Sequence, residues 1–258
     1  MALCKANDAP ILSEIRQRLI HIEAKADRLL QQGPGDGEYR GSPSQRYGHI
    51  TYSQHGEDLV FVALMERFGI DRPTYLDIGA NHPTDCSNTA LLYQRGARGV
   101  NVDASPDVIK LFERDRPDDQ NINVGVASQA GTMTFYRFGE TSGRSTFSRQ
   151  AADRYMADTP NEKIHDEIVV PVMTLDQIID TYFQGKYPDL LSIDAEGLDY
   201  DILAAASFAT PPKILCVETL STEGDLEARI DELLIGKGFR KCIQMFANAV
   251  YIGRDIKL

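Results

Sequence analysis

No apolar run in this chain approaches the ~20 residues of a membrane-spanning helix, and charged residues interrupt the N-terminus where a secretory core would lie. Neither a membrane span nor export is expected, and a cytoplasmic location is. Cysteine is sparse: Cys4, Cys86, Cys216 and Cys242 stand far apart with no metal-ligand spacing. They read as reduced thiols, and no metal site is expected. Basic residues are outnumbered, 27 against 38 acidic ones, for a formal net charge of −11. A nucleic-acid surface needs clustered Lys and Arg to neutralise phosphates, so no nucleic-acid partner is expected. The dinucleotide fingerprint Gly-x-Gly-x-x-Gly is missing too, since Asn81 and Pro83 stand where its later glycines would help seat a pyrophosphate.

What the chain does have is the composition of a globular protein, 42% hydrophobic and 25% charged over 258 residues. That length accommodates one α/β domain and an extension. Leu12, Ile15, Leu19, Ile22, Ala26 and Leu29 follow one another at alternating spacings of three and four. The pattern predicts an amphipathic helix whose seam either packs on its own domain or joins copies into a homo-oligomer through residues 11–30. Gln32-Gly-Pro-Gly-Asp-Gly37 stops that helix and opens a linker, so residues 1–45 form the extension and 46–258 the main domain.

From Arg46 onward helical and strand patterns alternate. A helix is expected over 53–68, a first strand over 74–78, a helix over 87–95 and a second strand over 99–103. A helix over 107–114 and a third strand over 122–126 follow. Extended segments over 132–138 and 167–172 bracket a polar insert, after which strands are expected over 190–194 and 214–218 and a closing antiparallel pair near the C-terminus. Alternation of this kind predicts a Rossmann-like, mostly parallel sheet covered by helices on both faces.

The most informative stretch is Tyr75-Leu-Asp-Ile-Gly-Ala-Asn81, an apolar strand carrying an acid and breaking into a small-residue loop. A second strand, Gly99-Val-Asn-Val-Asp103, ends in another acid about twenty residues on. Two acids at adjacent strand ends, without a pyrophosphate loop, suit S-adenosylmethionine, which has an adenosine, an amino acid and a cationic sulfonium but no phosphate. In that reading Asp77 draws in the cationic methionyl part, and the amides of Gly79, Ala80 and Asn81 receive its carboxylate. Asp103 accepts from the ribose hydroxyls, while Ala104, Ser105 and Val126 border the adenine. Each has a plainer alternative: Asp77 satisfying a local turn, Asp103 capping the helix that begins at Pro106.

Taken in order, the motifs resemble the FkbM family of S-adenosylmethionine-dependent methyltransferases. They are Ser53-Gln-His-Gly-Glu-Asp58, Leu76-Asp-Ile-Gly-Ala-Asn-His-Pro83, Ser87-Asn-Thr89, Val102-Asp103-Ala-Ser-Pro106, Ser145-Thr146, Val172-Met-Thr-Leu-Asp176, Ser192-Ile-Asp-Ala-Glu-Gly197 and Val217-Glu218. The resemblance covers about residues 50 to 253. It implies a seven-stranded sheet with an antiparallel last strand, and O-methylation of a small-molecule or glycan acceptor, a sugar or a natural product.

Within that frame Asp194 is a cofactor contact and the first candidate for the base that takes the acceptor's proton. The alternative is a strand-end carboxylate capping the next helix. His82 is a second candidate, because imidazole titrates near neutrality, although a loop histidine is also simply an exposed one. Glu196 is a third, or a ligand for substrate hydroxyls. Gln54 and Glu57 are candidates for a lid over the cofactor, with Glu57 reaching its amino group. First-turn acids of a helix are the other reading of Glu57 and Asp58. The insert from Arg137 to His165 is the expected place of acceptor recognition, or a plain surface loop. An amine in place of a hydroxyl acceptor, and a non-catalytic scaffold, are the competing functions.

Overall fold

The computed structural model describes residues 50–220 and 225–256. The heptad helix expected over residues 11–30, and the Gly-Pro linker after it, lie outside the described residues. In chain order the elements are α1 (Glu57–Arg67), β1 (Thr74–Ile78), α2 (Ala90–Gln94), β2 (Arg98–Asp103), α3 (Pro106–Asp115), β3 (Gln120–Asn123), β4 (Gly125–Val126), β5 (Gly131–Arg137), α4 (Arg149–Asp158), β6 (Asp166–Met173), α5 (Leu175–Phe183), β7 (Leu190–Ile193), α6 (Asp199–Ala205), β8 (Ile214–Glu218), α7 (Leu226–Gly236), β9 (Phe239–Gln244) and β10 (Asn248–Gly253).

Seven strands form one sheet in the order β3-β2-β1-β7-β8-β10-β9, and three form a smaller one, β4-β6-β5. In the large sheet β3, β2, β1, β7 and β8 run parallel, while β10 is antiparallel to both β8 and β9. The strands read as near-continuous apolar runs because both faces are covered. One face packs Leu76, Ile78, Val102, Leu191 and Ile193 against α5, α6 and α7; the other packs Tyr75, Leu190 and Cys216 against α1 and α2. The strand order reverses between β1 and β7, and there the carboxyl ends of the strands open a crevice.

Three expected boundaries shift, each for a visible reason. The helix foreseen from Ser53 begins only at Glu57, behind Gly56 with its left-handed φ of 88°. Before it, Asp58 gathers the segment by accepting from Thr51 Oγ1 at 2.6 Å, the Tyr52 amide at 2.7 Å and Ser53 Oγ at 2.9 Å. The helix foreseen over 87–95 shrinks to Ala90–Gln94, because Ser87, Asn88 and Thr89 spend their side chains on tertiary bonds. The strand foreseen over 122–126 divides at Val124, and its second half pairs with β6 in the small sheet.

Those tertiary bonds belong to a buried network centred on Arg116, which is 1% exposed. Its Nε donates to Asp119 Oδ2 at 3.0 Å, and its Nη2 to Tyr75 Oη at 2.7 Å and Thr89 Oγ1 at 2.9 Å. Thr89 passes its own proton to Asp77 Oδ2 at 2.6 Å. Asp119 also accepts from the Gly99 amide and Asn101 Nδ2. Arg116 therefore holds β1, β2 and the segment before α2 together, with three aromatic rings around its guanidinium. Removing one partner of such a group leaves uncompensated buried charge. Arg116→Leu should lose about 3–5 kcal/mol in urea denaturation, while Arg95→Leu, which breaks an exposed pair with Glu66, should lose about 0–1 kcal/mol.

Candidate active site

At the switch between β1 and β7 lies a cavity with about 680 Å³ of empty space, its open mouth included. Its floor begins at Gly79, immediately after β1. Gly79 has φ 73°, and a Cβ added there would lie 1.8 Å from the carbonyl oxygen of Asp194. Only glycine lets the two strand ends approach this closely. The Asp194 amide donates to the Ile78 carbonyl at 3.0 Å, extending the β1–β7 pairing by one step.

Asp103 occupies one end of the cavity. Its Oδ2 accepts from the Asn81 amide at 3.0 Å and its Oδ1 from the Ser105 amide at 2.7 Å. A carboxylate has about four lone-pair sites, so acceptor capacity for two hydroxyls is left over. Burial pushes the Asp103 carboxyl up to about 6, against the pull of those two amides. Apolar walls stand beside it: Val102, Val124, Val126, Phe135 and Phe147. The last two rings pack at 4.8 Å between centroids.

Asp194 and Glu196 occupy the other end. Asp199 shapes their loop by accepting from the amides of Ala195 at 2.8 Å and Gly197 at 3.2 Å. Glu196 sits at φ 47°, a left-handed conformation that costs a non-glycine residue energy and recurs at functional sites. Burial, with Asp199 adding repulsion and Arg144 opposing, raises the Glu196 carboxyl to about 7. Glu218, at the end of β8, stands beside Asp194 and opposes its ionisation. Burial, then repulsion by Glu218 and Glu196, holds Asp194 well above the carboxylate range. Glu218 is lifted to about 8 by burial, with repulsion from Glu196 and Asp199 added. The buried Oδ1 of Asp194 has no hydrogen-bond donor among the described residues.

A roof closes over both ends. It is the segment between β5 and α4, of which Ser142, Gly143, Ser145, Thr146 and Phe147 line the cavity. Ser105 Oγ donates to the Glu140 carbonyl at 2.9 Å, and Thr146 Oγ1 to the Glu196 carbonyl at 3.1 Å. Of the residues foreseen as cofactor contacts, Gly79, Asn81, Asp103, Ala104, Ser105, Val126 and Asp194 line the cavity together with Glu196.

Five foreseen residues lie elsewhere. Asp77 turns to the opposite face of β1, where it accepts from Thr89 and burial raises its carboxyl. Ala80 packs against Val108 and Phe112. His82 accepts at Nδ1 from the amides of Thr84 and Asp85, and burial depresses its imidazole. Glu57 is wholly buried, accepting from Asn248 Nδ2 at 2.8 Å and the His55 amide at 2.9 Å. Burial works to raise Glu57, but these bonds hold it below the usual range. Gln54 is exposed outside the lining. The amides expected to cradle a carboxylate are also engaged: those of Gly79 and Ala80 donate to the Val102 carbonyl and that of Asn81 to Asp103. The roof belongs to the insert from Arg137 to His165 foreseen for acceptor recognition, and Ser145-Thr146 also stood in the ordered motif series; its place over the Asp103 end and the Phe135–Phe147 wall had no signal in the sequence.

The strand order, with its antiparallel β10 and a cavity at the β1–β7 switch, defines a Rossmann-like fold of the class I methyltransferase type. The family model described as the methyltransferase FkbM domain matches residues 77–241, more than half of the chain, and the protein belongs to that family. No curated protein matches the sequence. Among solved structures, the chain is similar to the Burkholderia thailandensis 1,6-didemethyltoxoflavin-N1-methyltransferase, at 13% identity and TM-score 0.40, over 86% of this chain and 94% of that one. It is also similar to a TehB-like S-adenosylmethionine-dependent methyltransferase from Corynebacterium glutamicum, at 13% identity and TM-score 0.38, over 91% and 98%. A third is the Thermus thermophilus 16S rRNA N2 G1207 methyltransferase, at 15% identity and TM-score 0.38, over 80% of this chain and 43% of that one.

Gly79→Ala tests the floor of the site. It should cost clearly more than Gly69→Ala, whose φ of 69° is similar but whose Cβ meets nothing within 4 Å. The control carries only the backbone penalty, about 1 kcal/mol; the site variant adds about 1–3 kcal/mol for the overlap with Asp194, read as the difference in thermal denaturation.

Proposed function

We propose that the protein is an S-adenosylmethionine-dependent O-methyltransferase acting on a hydroxyl of a sugar, glycan or glycosylated natural product. The observation that carries this reading is the division of the cavity. One end offers a carboxylate with spare acceptor capacity beside apolar walls, and the other gathers acids whose ionisation burial and mutual repulsion oppose. The first end fits an adenosine, with Asp103 receiving the ribose hydroxyls and Val126, Phe135 and Phe147 flanking the base. When bound, S-adenosylmethionine supplies an electrophilic methyl group on a cationic sulfur.

The chain's own residues do the rest. Gly79, by giving up its side chain, leaves room between the β1 and β7 ends. The roof ties to Glu140 and Glu196 exclude water from the cavity and orient its contents. Asp194, in the fraction of the protein where it has lost its proton and Glu218 keeps its own, accepts the hydroxyl proton of the acceptor at its otherwise unpartnered Oδ1. A positioned base of this kind contributes about 10²–10⁴-fold. Holding the reacting atoms in line, ~3 Å apart, supplies more. Glu196 and Glu218 are close enough in pKa to neutrality to pass the proton on. A metal is not part of this proposal; among the described residues no group of three or more His, Cys, Asp or Glu is arranged to hold one.

Calorimetric titration should show one-site binding of S-adenosylhomocysteine and none of NAD. Asp103→Ala should weaken that binding about tenfold or more, as two hydrogen bonds to a charged group are lost. Asp194→Asn should bind normally yet lose about 10²-fold or more in turnover. Binding without either selectivity or mutant effect would remove the assignment.

The two ends should also separate on pH. Protonation of Asp103 removes acceptor capacity, so cofactor affinity should rise as pH increases through about 6. Turnover at saturating cofactor should instead rise as Glu196 ionises at about 7 and fall as Glu218 gives up its proton at about 8. Initial rates and titrations at matched pH values check both.

A further inference from the structure

The turn between β9 and β10 presents Phe246 to solvent at 73% exposure. It stands at the carboxyl edge of the sheet, because Asn248, the first residue of β10, is the register partner of Glu218, the last of β8. The ring of His55 lies against it, 5.1 Å between centroids and tilted by 40°. Both aromatic residues are anchored to the same buried pair. His55 donates its amide to Glu57 Oε2, Asn248 donates Nδ2 to Glu57 Oε1 at 2.8 Å, and Glu57 is wholly buried. Glu57 is thus the bracket that brings the segment before α1 and the β9–β10 turn to one place.

Two buried acceptors flank Glu218 there, both without a donor among the described residues: Asp194 Oδ1 and Asn248 Oδ1. Asn248 is 6% exposed, and an unpaired acceptor so deeply placed costs free energy until something donates to it. The arrangement calls for a ligand with several hydroxyl donors on one side and an apolar ring face on another. A pyranose has both, since its axial C–H groups form a patch that packs on an aromatic ring while its hydroxyls project from the rim.

We infer that Phe246 and His55 form the platform of the acceptor subsite, on which a sugar ring rests with its hydroxyls directed to Asp194, Glu218 and Asn248. The inference rests on the sugar-acceptor reading above and deepens it, by moving acceptor recognition from the roof segment to the opposite rim. It also gives Ser53-Gln-His-Gly-Glu-Asp58 a function: Asp58 knots the segment, Glu57 brackets it to β10, and His55 is what the knot presents.

The test is saturation-transfer NMR on full-length protein with S-adenosylhomocysteine bound, using the methyl glycosides of glucose, galactose, mannose and rhamnose as probes. At least one should show saturation of its ring C–H protons. Phe246→Ala should weaken that probe about three- to tenfold, the scale of one aromatic contact, and Phe246→Trp should restore it. Val169→Ala, which trims a residue 72% exposed on β6, should change nothing, and S-adenosylhomocysteine affinity should be the same in all four proteins. A probe that binds wild type and Phe246→Ala equally overturns the platform and leaves the sugar reading standing. Failure of every glycoside on cofactor-loaded wild type overturns both, while leaving the cofactor site intact.

Discussion

A guanidinium with 1% of its surface exposed is the reference point of this fold. Burying Arg116 is tolerable only if its donors are met, and they are met by side chains from β1, from the residues before α2 and from the turn before β3. Fixing those pieces to one charge also fixes where β1 and β2 end. Gly79 and Asp103 follow directly on the strands so held, and the cavity between them inherits its dimensions. Asp77 belongs to this arrangement. Through Thr89 it balances the buried cation from the far side of β1, which is why an acid inside an apolar strand is stable there.

The acids at the sheet edge are chemically alike and environmentally unlike, and the difference divides their labour. Asp103 is bonded by two amides, so its position is determined and spare lone pairs remain. Asp194 meets another acid and leaves an oxygen unpaired, so its ionisation is opposed. Asp199 is buried and turned to the amides that shape the 194–199 loop. Under the proposed function the first holds, the second reacts and the third supports, as environment rather than residue type dictates.

Much of this was legible in the sequence, because strand patterns, the missing pyrophosphate loop and acids at strand ends are local signals. The mostly parallel sheet, Gly79, Asp103 and Asp194 could all be placed from them. Asp77 could not be oriented. A strand alternates faces at every residue, and the burial of both faces erased the polar alternation that normally marks which side is which. Ser87-Asn-Thr89 read as the start of a helix because its partners, Ser192, Asp77 and Arg116, lie far away in sequence. The roof was hidden for a different reason: its contacts depend on β5 and β6 forming a separate small sheet. The pairing of Glu57 with Asn248 joins positions 191 residues apart, and no spacing rule reaches that far.

The small sheet has one further property. Val126, where the chain leaves the large sheet's neighbourhood, is the register partner of Met173, where it returns. Everything between those two neighbours is a closed detour whose ends are already hydrogen-bonded to each other. Lengthening such a detour changes only loop-closure entropy, which grows slowly with length, and does not pull on β3 or α5. The stretch from 127 to 172 is in that sense an exchangeable cassette. Grafts between relatives could be cut at Val126 and Met173, trading one roof for another over an unaltered sheet.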